Sequence, residues 1–104
     1  MKQIINGKRF DTGTAEFIAE WSSTYDRGDF HWYHEGLYRT KAGVWFLAGE
    51  GGAASPYRRT VAQNEWAPGE QLRLLNEAEA REWLERHELT DALEEHFGAG
   101  IEDA

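Results

Sequence analysis

A chain of 104 residues, 40% hydrophobic and 13% aromatic, has material for one modest core and is too apolar for a disordered segment. It holds no cysteine, which excludes disulfides, thiolate metal sites and cysteine nucleophiles. The net charge of −8 is unevenly spread: residues 1–62 carry eight Lys/Arg against seven Asp/Glu (+1), and residues 63–104 carry three against twelve (−9). Such a field repels nucleic acid and draws basic protein surfaces, with strong salt dependence.

The first segment, "KQIINGKRFD", reads as a strand or hairpin arm. Its Asn6-Gly7 pair adopts positive φ cheaply and so favours a type I′ turn. In "DTGTAEFIAEWSS" Thr14 is placed to cap a short early helix, on which Phe17, Ile18 and Trp21 would face the core. "FHWYHEGLYRT" and "VWFLAGE" are rich in strand formers and separated by "KAG", which predicts a central hairpin. In "VWFL" Val44 and Phe46 point one way and Trp45 and Leu47 the other, the pattern of a strand covered on both faces. "AGEGGAASP" is a loop signal, expected to be a mobile loop near a contact surface. "EQLRLL" predicts a further strand with Leu72 and Leu74 on one face.

The C-terminal part is helical. Asn76 with Glu79 three residues on makes a capping-box start for "EAEAREWLERH", whose buried stripe is Ala80, Trp83, Leu84 and His87. Thr90 is the expected cap of a second helix, "DALEEHF", closed by Gly98, with Leu89, Leu93 and Phe97 as its apolar side. The fold class is therefore α+β: a small antiparallel sheet with a central hairpin, one early helix and a C-terminal helical pair. One domain spans residues 1–98, and residues 99–104 form a frayed tail.

The chemistry-bearing patterns are sparse. The glycines of "GEGGAASPY" include an acidic residue, lack the lysine of a Walker loop and run into Pro56, so they do not cradle phosphate. His31 and His34 sit three apart in a strand-like segment and would point to opposite faces, while His87 and His96 lie on different helices. Ser22, Ser23 and Ser55 have no elbow motif, and the Glu94-Glu95 pair lies on an exposed face where nothing raises a pKa. No acid, base and electrophile can be assembled, so no enzymatic activity, no metal and no cofactor is expected. No signal-peptide run and no stretch of 18 apolar residues occurs, which makes a cytoplasmic protein without membrane contact the expectation.

Two surfaces stand out. The first is a basic aromatic strip of Tyr38, Arg39, Lys41, Tyr57, Arg58 and Arg59, with Trp32, Glu50 and Trp66 beside the hairpin and loop. Cations with stacking rings suit single-stranded nucleic acid, but a handful of cations gives only weak binding. The arginines could instead pair with the chain's own acidic helices. The second surface is the carboxylate row Glu77, Glu79, Glu82, Glu85, Glu88, Asp91, Glu94 and Glu95. Helical rise spaces successive carboxylates a few ångströms apart, comparable to phosphates along a strand.

At "INGKRFDTGTAE", "LYRTKAGVWFLAGEGG", "PYRRTVAQNEW" and "NEAEAREWLE" the chain resembles a family of small bacterial proteins carried by phages, plasmids and integrating elements. Its members share the pattern NGKRYDTxTAE…LYRxxxGxFFLxGEGG…Y…W…L…EAxxWxE. The likeness spans nearly the whole chain, and Arg58-Arg59 is more basic than the pattern. It carries over no catalytic residue. It implies a mobile-element context, in which small acidic proteins often inhibit host defence complexes, anti-CRISPR proteins among them, some by mimicking nucleic acid. The expected function is a non-enzymatic, anti-CRISPR-like inhibitor of a host nuclease complex. Its partner would be a host protein or ribonucleoprotein with a basic surface rather than nucleic acid itself, and a homodimer is open. The alternative is a weak nucleic-acid-binding accessory protein using the Tyr/Arg strip.

Overall fold

The computed structural model describes residues 1–104. Eight strands precede two helices: β1 (Lys2–Ile5), β2 (Lys8–Asp11), β3 (Glu16–Ser22), β4 (Tyr33–Arg39), β5 (Trp45–Gly51), β6 (Arg59–Ala62), β7 (Glu65–Ala67), β8 (Gly69–Leu75), α1 (Glu77–Arg86) and α2 (Thr90–Phe97). A single 3-10 turn, Gly98–Gly100, follows α2, and the last four residues are exposed and irregular. The fold is α+β. The main sheet runs β3-β4-β5-β8, antiparallel throughout, while β1-β2 and β6-β7 are separate two-stranded hairpins.

The turns follow local chemistry. Asn6 and Gly7 both have positive φ, 51° and 78°, as a type I′ turn requires. The β4–β5 turn closes with Gly43 at φ 89° and with Thr40 Oγ1 accepting from the Val44 amide at 3.0 Å. Asn76 caps α1 through the expected capping box, its side chain accepting from the Glu79 amide at 2.8 Å and Glu79 reaching back to the Asn76 amide at 2.9 Å.

β5 is covered on both faces. On one, Leu37, Trp45 and Leu47 pack with Ala80, Trp83 and Leu84 of α1, joined by Leu89, Leu93 and Phe97 from the second helix. On the other, Phe46, Ala48 and Leu72 pack under Phe10 of the β1–β2 hairpin, with the Phe10 and Phe46 rings edge-on at 5.7 Å. Leu72 and Leu74 share this face, as the alternation in "EQLRLL" predicts. Only 16 of the 104 residues are buried, so each core contact is a sizeable part of the stability.

Two expectations are corrected. The early helix does not exist: Glu16–Ser22 is edge strand β3. A bulge between Phe17 and Ala19 breaks its alternation, so Ile18, Ala19 and Trp21 reach the helix-side core while Phe17 meets Tyr38 on the opposite face. The bulge produces an apolar spacing that imitates a helix. Thr14 serves the preceding turn, where its amide and hydroxyl both donate to the Asp11 carbonyl. At the second helix Leu89, not Thr90, occupies the cap position, without a side-chain bond.

Candidate functional site

The glycine-rich stretch is not a mobile loop. Ala48, Gly49, Glu50 and Gly51 continue β5 to its end. The chain then turns tightly, with the Gly52 carbonyl accepting from both the Ser55 amide (3.0 Å) and the Ser55 hydroxyl (2.8 Å). The Gly52 and Ala54 amides donate to the Trp32 and Phe30 carbonyls, fastening this turn to the β3–β4 loop. A Cβ at Gly49 would overlap the Tyr57 ring, and one at Gly51 would overlap Ser55 and Tyr33. Gly49 lets the Tyr57 ring approach a central strand closely, and Gly51 makes room for Ser55.

That ring leads to a polar network inside the molecule. The Tyr57 hydroxyl donates to Glu35 Oε2, and Trp83 Nε1 donates to Glu35 Oε1 at 3.1 Å. Glu35 is 8% exposed, and His87 Nε2 lies 3.9 Å from Oε1. The His87 ring stacks on Trp21 at 4.1 Å, and the Arg73 guanidinium lies 5.7 Å from the centre of the Tyr57 ring. Burial, then the hydrogen bond to Glu35, pushes the Tyr57 phenol up. Burial, then the neighbouring Arg86, holds the His87 imidazole below its usual value against the opposing pull of Glu35. A cleft of about 430 Å³ opens beside the network between Tyr33, Arg73, Glu82 and His87. Each Glu35 oxygen is taken by a ring donor, which makes this network a tie between β4, the Tyr57 segment and α1. Sequence reasoning missed it because its partners lie 22 and 48 residues from Glu35. The available signal was parity: Glu35 alternates with Leu37, so it faces inward.

The carboxylate row is exposed as expected, with Glu79 and Glu82 at the rim of the cleft beside Arg73 and Glu88, Asp91 and Glu95 along the groove by Ile18. Glu77, Glu79, Glu82, Glu85, Glu88, Asp91, Glu94 and Glu95 are all exposed. Within it Glu85 pairs with Arg81 at 3.4 Å and Glu95 approaches His96 at 3.9 Å, while Glu79 is engaged in the α1 cap. The arginines upstream do not neutralise the row. Arg39 pairs with Glu16 at 3.6 Å, Arg58 donates to the Ser55 carbonyl and Arg59 to that of Pro68.

The basic aromatic strip is not assembled. Tyr38 and Arg39 lie at one end of β4, with Lys41 in the turn beyond; Tyr57 sits on Gly49, opposite Glu35, and the Arg58–Arg59 backbone runs beside Gly69 at the far end, about 20 Å from Arg39 at strand rise. Tyr57 is 3% exposed and unavailable to a partner. Tyr38 stacks on Phe46 at 5.4 Å, and Arg39 lies over Trp45. What the structure does bring together is a cleft of about 630 Å³ at the glycine end of the sheet, where Trp32, Glu50 and Arg59 meet Arg27, Phe30 and Glu70. Arg27 lies over Trp32 at 5.0 Å. Trp66, on the separate β6–β7 hairpin, is 49% exposed with Arg58 at 5.8 Å from its ring centre. Phe30, 72% exposed, is the most open aromatic of the chain and was read as part of a strand.

No helix is long and apolar enough to cross a membrane. Comparisons of the chain with protein-family models, with curated proteins and with solved structures find no match.

Proposed function

We propose that the protein is a non-enzymatic binding protein of a phage or mobile element. It inhibits a host defence nuclease complex, in the manner of an anti-CRISPR protein, by occluding a basic surface with its acidic helical layer. The observation that carries this reading is the exposed row of eight carboxylates, in which only Glu85 has an arginine or lysine within 4.0 Å. A row left unneutralised by the chain's own arginines keeps its field for a partner and steers encounter. The exposed rings of Phe30 and Trp66, with half-buried Trp32 beside Phe30, are the kind of side chain that anchors an interface.

The test is capture of the tagged protein from nuclease-treated bacterial lysate containing CRISPR effector complexes, then kinetics on the purified pair. Reversing Glu82, Glu85 and Glu94 to lysine is expected to slow association about tenfold or more at low salt, with a smaller change at high salt. A stoichiometric complex whose association ignores the triple reversal would refute the acidic layer as the binding face. Capture of no effector subunit would refute the inhibitor reading.

A further inference from the structure

A second surface of opposite sign lies across the sheet from the helices. Of the chain's eleven lysines and arginines, six have a partner within the molecule. Arg39 and Arg81 pair with carboxylates; Arg27 and Arg73 lie over aromatic rings; Arg58 and Arg59 donate to carbonyls. The other five, Lys2, Lys8, Arg9, Lys41 and Arg86, make no ion pair, side-chain hydrogen bond or ring contact. Four of these five sit on the β1–β2 hairpin or in the β4–β5 turn.

Three of the four surround one cavity. Between strand β2 and the β4–β5 turn lies a pocket of about 460 Å³, lined by Lys8, Arg9, Lys41 and the apolar side chains of Phe10, Ala15 and Val44. Its volume falls within the usual range for small-ligand sites. Phe10 is almost fully buried, held by Phe46, so that wall is rigid. The single carboxylate in the lining, Asp11, is committed to the Gly13 amide at 2.8 Å through Oδ1. The acidic helices pack on the far face of the sheet and cannot reach these cations.

We propose that this pocket binds a phosphate monoester carried on a planar or apolar body, the chemistry of a nucleoside monophosphate. Lys8, Arg9 and Lys41 would meet the dianion at the mouth through charge-assisted hydrogen bonds, and Phe10, Ala15 and Val44 would receive the apolar body. A pocket with rigid apolar walls and several mobile cations discriminates for a ligand that has both parts. The inference is independent of the inhibitor reading, because it uses the opposite face and none of the acidic row.

The test is a titration of the isotope-labelled full chain with adenosine monophosphate, phenyl phosphate and inorganic phosphate, read by amide shifts at low salt. Adenosine monophosphate and phenyl phosphate are expected to shift Thr14, Ala15, Lys41, Ala42 and Val44 saturably. Inorganic phosphate should bind at least about tenfold more weakly for want of the apolar contact. Lys8→Ala and Lys41→Ala are exposed changes that spare the fold, and each is expected to weaken binding about tenfold. Absence of saturation by both organic phosphates would overturn the proposal, as would binding unchanged in the Lys8→Ala/Lys41→Ala double variant. Equal affinity for inorganic phosphate would overturn the part played by the apolar wall.

Discussion

Tyr57→Phe isolates the buried network, because it removes one hydroxyl and leaves the ring on Gly49 in place. The loss falls on a carboxylate that is 8% exposed and whose other oxygen is held by Trp83. A hydrogen bond to a charged group contributes about 1.5–3 kcal/mol, and an unpartnered buried oxygen keeps its desolvation penalty, so we expect a destabilisation of about 2–3 kcal/mol. For 104 residues the unfolding entropy is about 0.22 kcal/mol/K, which converts the lower bound to a fall of about 9 °C in Tm. Urea unfolding followed by tryptophan fluorescence reads the free energy, with an unchanged m-value as the control for an intact native state. The same substitution in a Glu35→Gln background should be milder, because a neutral amide loses less when its donor is removed. A Tyr57→Phe variant within about 0.5 kcal/mol of the parent would refute the network as a structural tie.

Gly49→Ala places a methyl group into the Tyr57 ring on a fully covered strand, and overpacking of that kind is expected to destabilise by about 1–3 kcal/mol; a neutral result in urea unfolding would contradict the close approach. Asn76→Ala removes the cap of α1 and should lower stability by about 1 kcal/mol, whereas Thr90→Ala, which loses no cap bond, should lie near zero by the same assay. His87 is held below its unfolded pKa, so the unfolded chain takes up its proton first as pH falls; the stability present above about pH 6.5 is then lost on acidification through the folded value. His87→Gln should flatten that part of the Tm-against-pH curve below pH 6.5, and an unaltered slope would mean that other groups carry it.

The glycine end and the helical layer divide what was legible in the chain from what was not. The Asn6-Gly7 turn, the two-faced burial of Trp45–Leu47 and the Asn76–Glu79 capping box were readable because each depends on residues within a few positions of one another. Exposure of the carboxylate row was readable for the same reason, since an amphipathic helix declares its wet side by spacing alone. β3 was misread because a bulge gave an edge strand the apolar spacing of a helix, and only pairing with β4 reveals the register.

Composition and local pattern thus determined the α+β class, the hairpins, the helical layer and the side on which its charge lies. Tertiary structure alone decided that Gly49 is the seat of Tyr57 while Gly51 and Gly52 admit Ser55 and the Phe30 backbone, that Glu35 is bridged to Tyr57 and Trp83, and that the Tyr/Arg strip is drawn apart along the sheet. It likewise gathered Lys8 and Arg9 of β2 and Lys41 of the β4–β5 turn around one pocket. The physical reason is range. Turn and cap preferences act over a few residues, whereas a ring meeting a glycine or a carboxylate across the core is fixed by which strands pair and in what register.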